Sequence, residues 1–191
     1  MITIRKGGHM ELERYYGLME LDFDKSELMS KLAIHKCLIN GAMELLVLTD
    51  ADSQMDVGYA LVCHKGLYGY VLLKYFAIMP WCRGQGIGVE AMRAINKRYA
   101  ETQGILAELT SFEDEDGSYL RRLKKFFARF GYVQVPCDYR LGGADVFLMV
   151  KPIKGTWELA PVAHRIIRDF YSRCLSASAR EKMVDIRPIK K

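Results

Sequence analysis

The stretch "WCRGQGIGVEAM", residues 81 to 92, constrains the chain more than any other. Glycines stand at alternate positions 84, 86 and 88, behind an arginine and directly ahead of a helical pattern. Each glycine costs conformational entropy on folding, so this spacing needs a reason other than stability. Close approach of a ligand to the backbone supplies one. Amides freed by glycine, together with a helix N-terminus and its dipole, form a nest for a phosphate or pyrophosphate. A side chain at Gly86 or Gly88 is expected to block that approach. Three glycines that merely make a tight strand-to-helix turn are the bland alternative.

Two familiar phosphate turns compare poorly with the segment. No Gly-Lys-Ser/Thr follows, so nothing is placed to hold the Mg²⁺ of a P-loop. Gly86-Ile87-Gly88-Val89-Glu90-Ala91 does fit G-x-G-x-x-A, with Glu108 at about the right distance to bind a ribose. In a dinucleotide fold, however, the strand runs straight into the first glycine, whereas "MPWCR" intervenes here between Ile78 and Gly84.

The surrounding pattern is that of an α/β chain. "ITIRK" reads as a short strand, and residues 10 to 40 as two helices around "LDFDKS", with Asp24 or Ser26 as cap of the second. "MELLVLTD", "VGYALVCHK" and "YVLLKYFAI" are joined by short links and read as an antiparallel meander. A helix from Gly88 ends at Gly104, "ILAELTS" is a buried-type strand, and "YLRRLKKFFARF" is a helix ended by Gly131. "YVQVP" and "DVFLMVKP" are two more strands, with "CDYRLGG" as the loop between them. The predicted order is β-αα-β-β-β-α-β-α-β-β. Beyond it, Val162, Ile166, Phe170 and Cys174 fall at helical spacing, giving a helix that packs on the domain or contacts a second subunit.

An Ile-x-Pro lead-in followed by Arg83-Gly84-Gln85-Gly86-Ile87-Gly88 resembles the R-x-x-G-x-G acyl-CoA-binding motif of the GNAT N-acyltransferases. "RRLKKFFARFGY" resembles the later helix of that family, with an aromatic pair ahead of a Gly-Tyr. The resemblance implies a GNAT-type fold over residues 1–154, with 155–191 as a C-terminal helical extension. Its central sheet would be mixed, mostly antiparallel, and splayed between the fourth and fifth strands.

The resemblance further implies acetyl-CoA as cosubstrate, with no metal. The pyrophosphate would lie on Arg83, Gly84, Gln85, Gly86, Ile87 and Gly88. The pantetheine arm would pair with the main chain of Phe76, Ala77 and Ile78, one amide polarising the thioester carbonyl, and Phe127 would line the cofactor site. The acceptor would be a small-molecule or peptide primary amine that attacks directly. A carboxylate must take the proton of that amine. Glu108, mid-strand among apolar residues, is the candidate, the alternative being a structural carboxylate bonded to backbone, Arg121 or Arg122. The family's usual tyrosine acid is replaced by Phe127, and its frequent asparagine by Leu120. Tyr119 and Tyr139 are then the candidates for protonating the leaving thiolate. That departure also keeps open a non-catalytic CoA-binding module. Asp22, Asp24 and Glu27 could grip an amine or be solvated helix surface, and the acidic run Glu113 to Asp116 reads as loop charge.

Composition narrows the partners. The net charge of +5 on 191 residues is mild, and no compact basic tract with interleaved aromatics points to nucleic acid. Five scattered cysteines without a CxxC pair read as reduced thiols of a cytoplasmic protein. Cys82 and Cys137 have no histidine near them in sequence, so neither is expected to carry an acyl group. No apolar run reaches the length of a membrane span. A homodimer is compatible with these features.

Overall fold

The computed structural model describes residues 1–64, 67–110, 117–156 and 158–188. Ser111, the acidic run Glu113 to Asp116 and the last three residues lie outside them.

Near-continuous apolar runs, buried on both faces, make the central strands, and among the described residues nine strands join one sheet. β1 (Ile2–Gly7), β2 (Met43–Asp50), β3 (Asp56–Cys63) and β4 (Tyr70–Ile78) are antiparallel neighbours in chain order. This is the expected meander, and it rules out a first half built from repeated βαβ units. β4 then pairs in parallel with β5 (Gly104–Thr110), from Tyr70↔Gly104 to Leu73↔Ala107. β5 pairs antiparallel with β8 (Ala144–Pro152), which also carries the two-residue β6 (Val133–Gln134) and β7 (Cys137–Leu141). β9 (Val184–Pro188) completes the sheet on the free edge of β7.

Helices cover both faces. α1 (His9–Asp22), α2 (Lys31–Ile39) and α5 (Ala160–Cys174) lie on one face, burying Leu12, Tyr15, Met19, Ile34, Ile166 and Phe170 against it. α3 (Ile87–Arg98) and α4 (Ser118–Ala128) bury Met92, Ile95 and Phe127 against the other face. A short α6 (Ala177–Met183) leads into β9.

Several local expectations change. Ser30, and neither Asp24 nor Ser26, caps α2, its side chain accepting from the Ala33 amide. Asp24 instead accepts from the Ser26 amide in a turn. α3 stops at Arg98, and Gly104 opens β5, because a Cβ there would lie 2.8 Å from the Lys151 carbonyl oxygen. "CDYRL" is strand β7, with the turn confined to Gly142-Gly143, both at positive φ. The buried face of α5 runs through Ala163, Ile166, Ile167, Phe170 and Tyr171, leaving Val162 outside. Residues 155–191 therefore bring a strand to the sheet as well as helices.

Candidate active site

The pairing of β4 with β5 ends at Leu73↔Ala107, yet both strands continue. β4 stays on β3 as far as Gly58↔Ile78, and β5 stays on β8 as far as Thr110↔Val146. The two strands therefore part, and among the described residues the edge of β4 beyond Leu73 has no strand partner on that side. A bulge marks the place. Leu61 faces Tyr75 and Val62 faces Leu73, so Lys74 is an extra residue in β4. Such an insertion bends a strand and increases its twist, which helps the sheet to open. A cavity of about 250 Å³ occupies the gap, lined by the strand residues Phe76, Ala77, Ile78, Glu108 and Thr110.

Beyond Ile78 the chain makes a 3-10 turn at Pro80–Cys82 and reaches the glycines. Gly84 (φ +76°) and Gly86 (φ +78°) are left-handed, a region that costs an L-residue roughly 1–2 kcal/mol. Gly86 is the N-cap of α3, so the amides of Ile87 and Gly88 fall in the first turn, where no intrahelical acceptor exists. Gly88 is helical and lines the cavity, and a Cβ there would sit 3.6 Å from Ile78 and 4.0 Å from Phe126. In this structure that is ordinary contact, so Gly88 keeps open space rather than relieving a clash. Arg83 ties the turn down. Its Nε donates to the Ile78 carbonyl at 2.8 Å, and its Nη2 pairs with Asp22, which also accepts from the Tyr59 hydroxyl. The Gln85 side chain donates to the Trp81 carbonyl at 3.1 Å.

α4 supplies the opposite wall. Tyr119, Leu123, Phe126 and Phe127 recur at helical spacing and all line the cavity. Phe126 stacks on Phe76 with ring centroids 6.4 Å apart, and Phe127 is buried edge-on to Tyr132. Tyr119 sits at the mouth, and burial raises its phenol above the usual value.

On the sheet face covered by α1, α2 and α5 lies a charged cluster. Glu108 turns its side chain to this face, where it is 2 % exposed. Its Oε2 accepts from Lys74 Nζ at 2.6 Å and from the Tyr171 hydroxyl at 3.0 Å, and its Oε1 accepts from the Tyr139 hydroxyl at 2.6 Å. Burial opposes the Lys74 ammonium, but the Glu108 carboxylate outweighs it and the Lys74 pKa is raised. The ammonium also lies 5.1 Å and 5.5 Å from the ring centres of Tyr75 and Tyr171. Burial likewise drives the Tyr139 and Tyr171 phenols well upward. Glu108 is thus enclosed by Lys74 and two tyrosines. Of the two tyrosines expected as acids, Tyr119 lines the cavity and Tyr139 lies behind Glu108, outside the lining.

Glu27 is not solvated helix surface. It lies in the loop between α1 and α2, is buried, and lines the cavity. Thr110 Oγ1 donates to its Oε2 at 2.5 Å. Burial raises its pKa, only partly offset by Thr110 and Lys74. Sequence reasoning missed Lys74, Tyr171 and the burial of Glu27. Lys74 did leave a signal as the single charge in "YVLLKYFAI". Tyr171 and Glu27 reach the site through contacts 63 and 83 residues long, for which no local pattern exists.

Cys82 and Cys137 do not form a nucleophilic site at the cavity. Burial pushes the Cys137 thiol up to about 11, away from the thiolate, and neither Cys82 nor Cys137 lines the cavity. Among the described residues no three His, Cys, Asp or Glu side chains gather to hold a metal, and no helix is long and apolar enough to cross a membrane.

No protein-family profile and no curated protein sequence matches the chain. Solved structures do match its fold. A GNAT-family protein from Bacteroides thetaiotaomicron, assigned as an acetyltransferase, superposes with a TM-score of 0.69 at 14% identity, over 89% of this chain and 96% of its own. Spermidine N-acetyltransferase from Vibrio cholerae, in complex with CoA and spermine, gives 0.61 at 12% identity, over 80% and 95%. The ribosomal-protein-S18-alanine N-acetyltransferase from Escherichia coli gives 0.58 at 15% identity, over 83% and 97%.

Proposed function

The chain has the GNAT fold, and from that premise we propose that it is an acyl-CoA-dependent N-acyltransferase, moving an acetyl group from acetyl-CoA to a primary amine by direct attack. One observation carries the reading. The unpartnered edge of β4 opens into a cavity whose wall includes Gly88, in the first turn of α3 beside the left-handed glycines. An extended pantetheine arm can pair with the main chain of Phe76 and Ala77, while the pyrophosphate rests on the amides from Gln85 to Gly88. Phe126 and Phe127 supply apolar wall beside the arm. A main-chain amide on the parted edge of β4 can donate to the thioester oxygen as it gains charge, an interaction worth roughly 3–4 kcal/mol in other enzymes.

Direct transfer fits the absence of an activated thiol among the lining residues. The amine attacks the carbonyl carbon, the carbonyl pair moves onto oxygen, and collapse expels the CoA thiolate. Tyr119, a lining phenol at the cavity mouth, is the group we assign to protonate that thiolate. The arm that carries Glu27 leaves room for a small-molecule or peptide amine, which approaches from the α1–α2 face while the cofactor occupies the α3–α4 face.

A CoA-binding module without catalysis is the second reading, favoured by Phe127, which has no proton to give. Incubation with acetyl-CoA and a panel of primary amines, following free thiol, separates the two. Amine-dependent thiol release is the expected result. Saturable acetyl-CoA binding with no release for any amine would establish the binding module instead.

A further inference from the structure

We propose that Glu27, and not Glu108, takes the proton from the acceptor amine. The inference rests on the acyl-transfer reading and assigns its base. Glu108 is occupied. Three donors reach its two oxygens, one of them the Lys74 ammonium at 2.6 Å, with both side chains almost fully buried. Placing a proton on Glu108 would leave that ammonium buried without its counter-charge, a costly arrangement.

Glu27 has the opposite situation. Glu27 lines the cavity, and its carboxylate accepts at 2.5 Å from Thr110 Oγ1 and over a longer 3.3 Å from the Asp24 amide. Among the described residues no cation is bonded to it in an ion pair. The loop that carries it is fixed from β4. The Tyr75 hydroxyl donates to the Glu27 carbonyl at 2.8 Å and accepts from the Met29 amide at 2.9 Å, and Phe23 packs on the Tyr75 ring. The base is therefore placed by a buried tyrosine on the strand that would hold the thioester.

Among the described residues the charged and titratable groups coupled to Glu27 are Lys74 and Tyr75 on β4, Glu108 on β5 and Tyr119 on α4. Burial dominates and raises its proton affinity, which brings a carboxylate nearer to the range useful for deprotonating an amine. Protons balance over the reaction. An ammonium substrate carries three protons on nitrogen and the amide keeps one. The first passes to Glu27 before attack and leaves to water. The second replaces the proton that Tyr119 gives to the departing thiolate, as the carbon–sulfur bond breaks and the carbon–nitrogen bond remains.

The test uses the full chain, acetyl-CoA and the amine that gives the fastest thiol release, with kcat/KM followed against pH and CoA affinity by calorimetry. Glu27→Gln preserves the shape and the Thr110 contact, so CoA affinity should stay within about twofold. Its kcat/KM should fall by about 10²-fold or more, and the acid limb of the profile should vanish. Thr110→Val removes the bond that lowers the Glu27 pKa, so its acid limb should move to higher pH. A Glu27→Gln enzyme with wild-type rate and acid limb overturns the proposal while leaving acyl transfer standing. Absence of CoA binding and of thiol release in the wild-type protein overturns the reading and the base assignment together.

Discussion

Lys74 Nζ and Glu108 Oε2 lie 2.6 Å apart with side chains 1 % and 2 % exposed, on the two strands that part to form the cleft. The pair bridges β4 and β5 just where their backbone pairing stops. It replaces the ladder with an ionic contact and lets the sheet stay open without falling apart. Removing one partner leaves an uncompensated buried charge, which typically costs 3–5 kcal/mol. Lys74→Met should lower unfolding stability by about that amount in urea titration. Replacing both partners by apolar residues, as in Lys74→Met with Glu108→Leu, should recover most of the loss. A double variant as unstable as the single one would show that the pair does more than neutralise itself.

Acid stability should depend on Glu11. Its Oε2 accepts from the Gly8 amide at 2.8 Å at the start of α1, and its Oε1 from Arg5 at 2.7 Å. The Gly8 amide first, and then Arg5, depress the carboxyl from 4.5 to about 2. Because the folded value is depressed, the stabilisation is present above the unfolded value and is lost as pH falls from 4.5 through 2. Thermal unfolding of wild type and Glu11→Gln should differ most above pH 4.5 and converge toward pH 2. Parallel curves across that window would contradict the assignment.

Gly86→Val tests the nest. At φ +78° a β-branched residue is strained, and its side chain would project at the N-terminus of α3. CoA binding measured by calorimetry should be abolished while the protein remains folded by circular dichroism. Retained affinity would place the pyrophosphate elsewhere.

The tail should be inseparable from the domain. Ala163, Ile166, Ile167, Phe170 and Tyr171 of α5 are buried in the same cluster as β2 to β4, and β9 pairs with β7. Losing one buried Phe side chain alone typically costs 3–5 kcal/mol. A chain ended after Lys154 should therefore show no cooperative unfolding transition in calorimetry. A cooperative transition near the full-length one would mark residues 1–154 as an independent domain.

What was readable in the chain follows the range of the forces involved. The glycine spacing, the meander and the motif helix are local, and "RGQGIG" carries them within a few residues. The helix that carries Tyr119 and Phe127 is equally local, and both residues are expected at the site, whereas Leu123 and Phe126 on the same wall are not. The buried cluster was not, because Tyr139 and Tyr171 meet Glu108 only after two later segments have docked. Arg121 and Arg122, near in sequence to Glu108, looked like its partners, yet Lys74 on the neighbouring strand holds it. β7 reads as a loop because "CDYRL" is short and runs into two glycines, although its alternation of apolar and charged side chains is a strand pattern. Glu27 sits among acids that look solvated in sequence, and only the fold of the α1–α2 loop onto Tyr75 and Thr110 buries it.

The central claim is transfer of an acyl group in the parted cleft, and mass spectrometry of the acceptor tests it most directly. With acetyl-CoA and a panel of primary amines, at least one amine should gain a single acetyl group, with one equivalent of CoA thiol for each amide formed. CoA bound at equilibrium with every amine recovered unmodified and no thiol released would contradict the account.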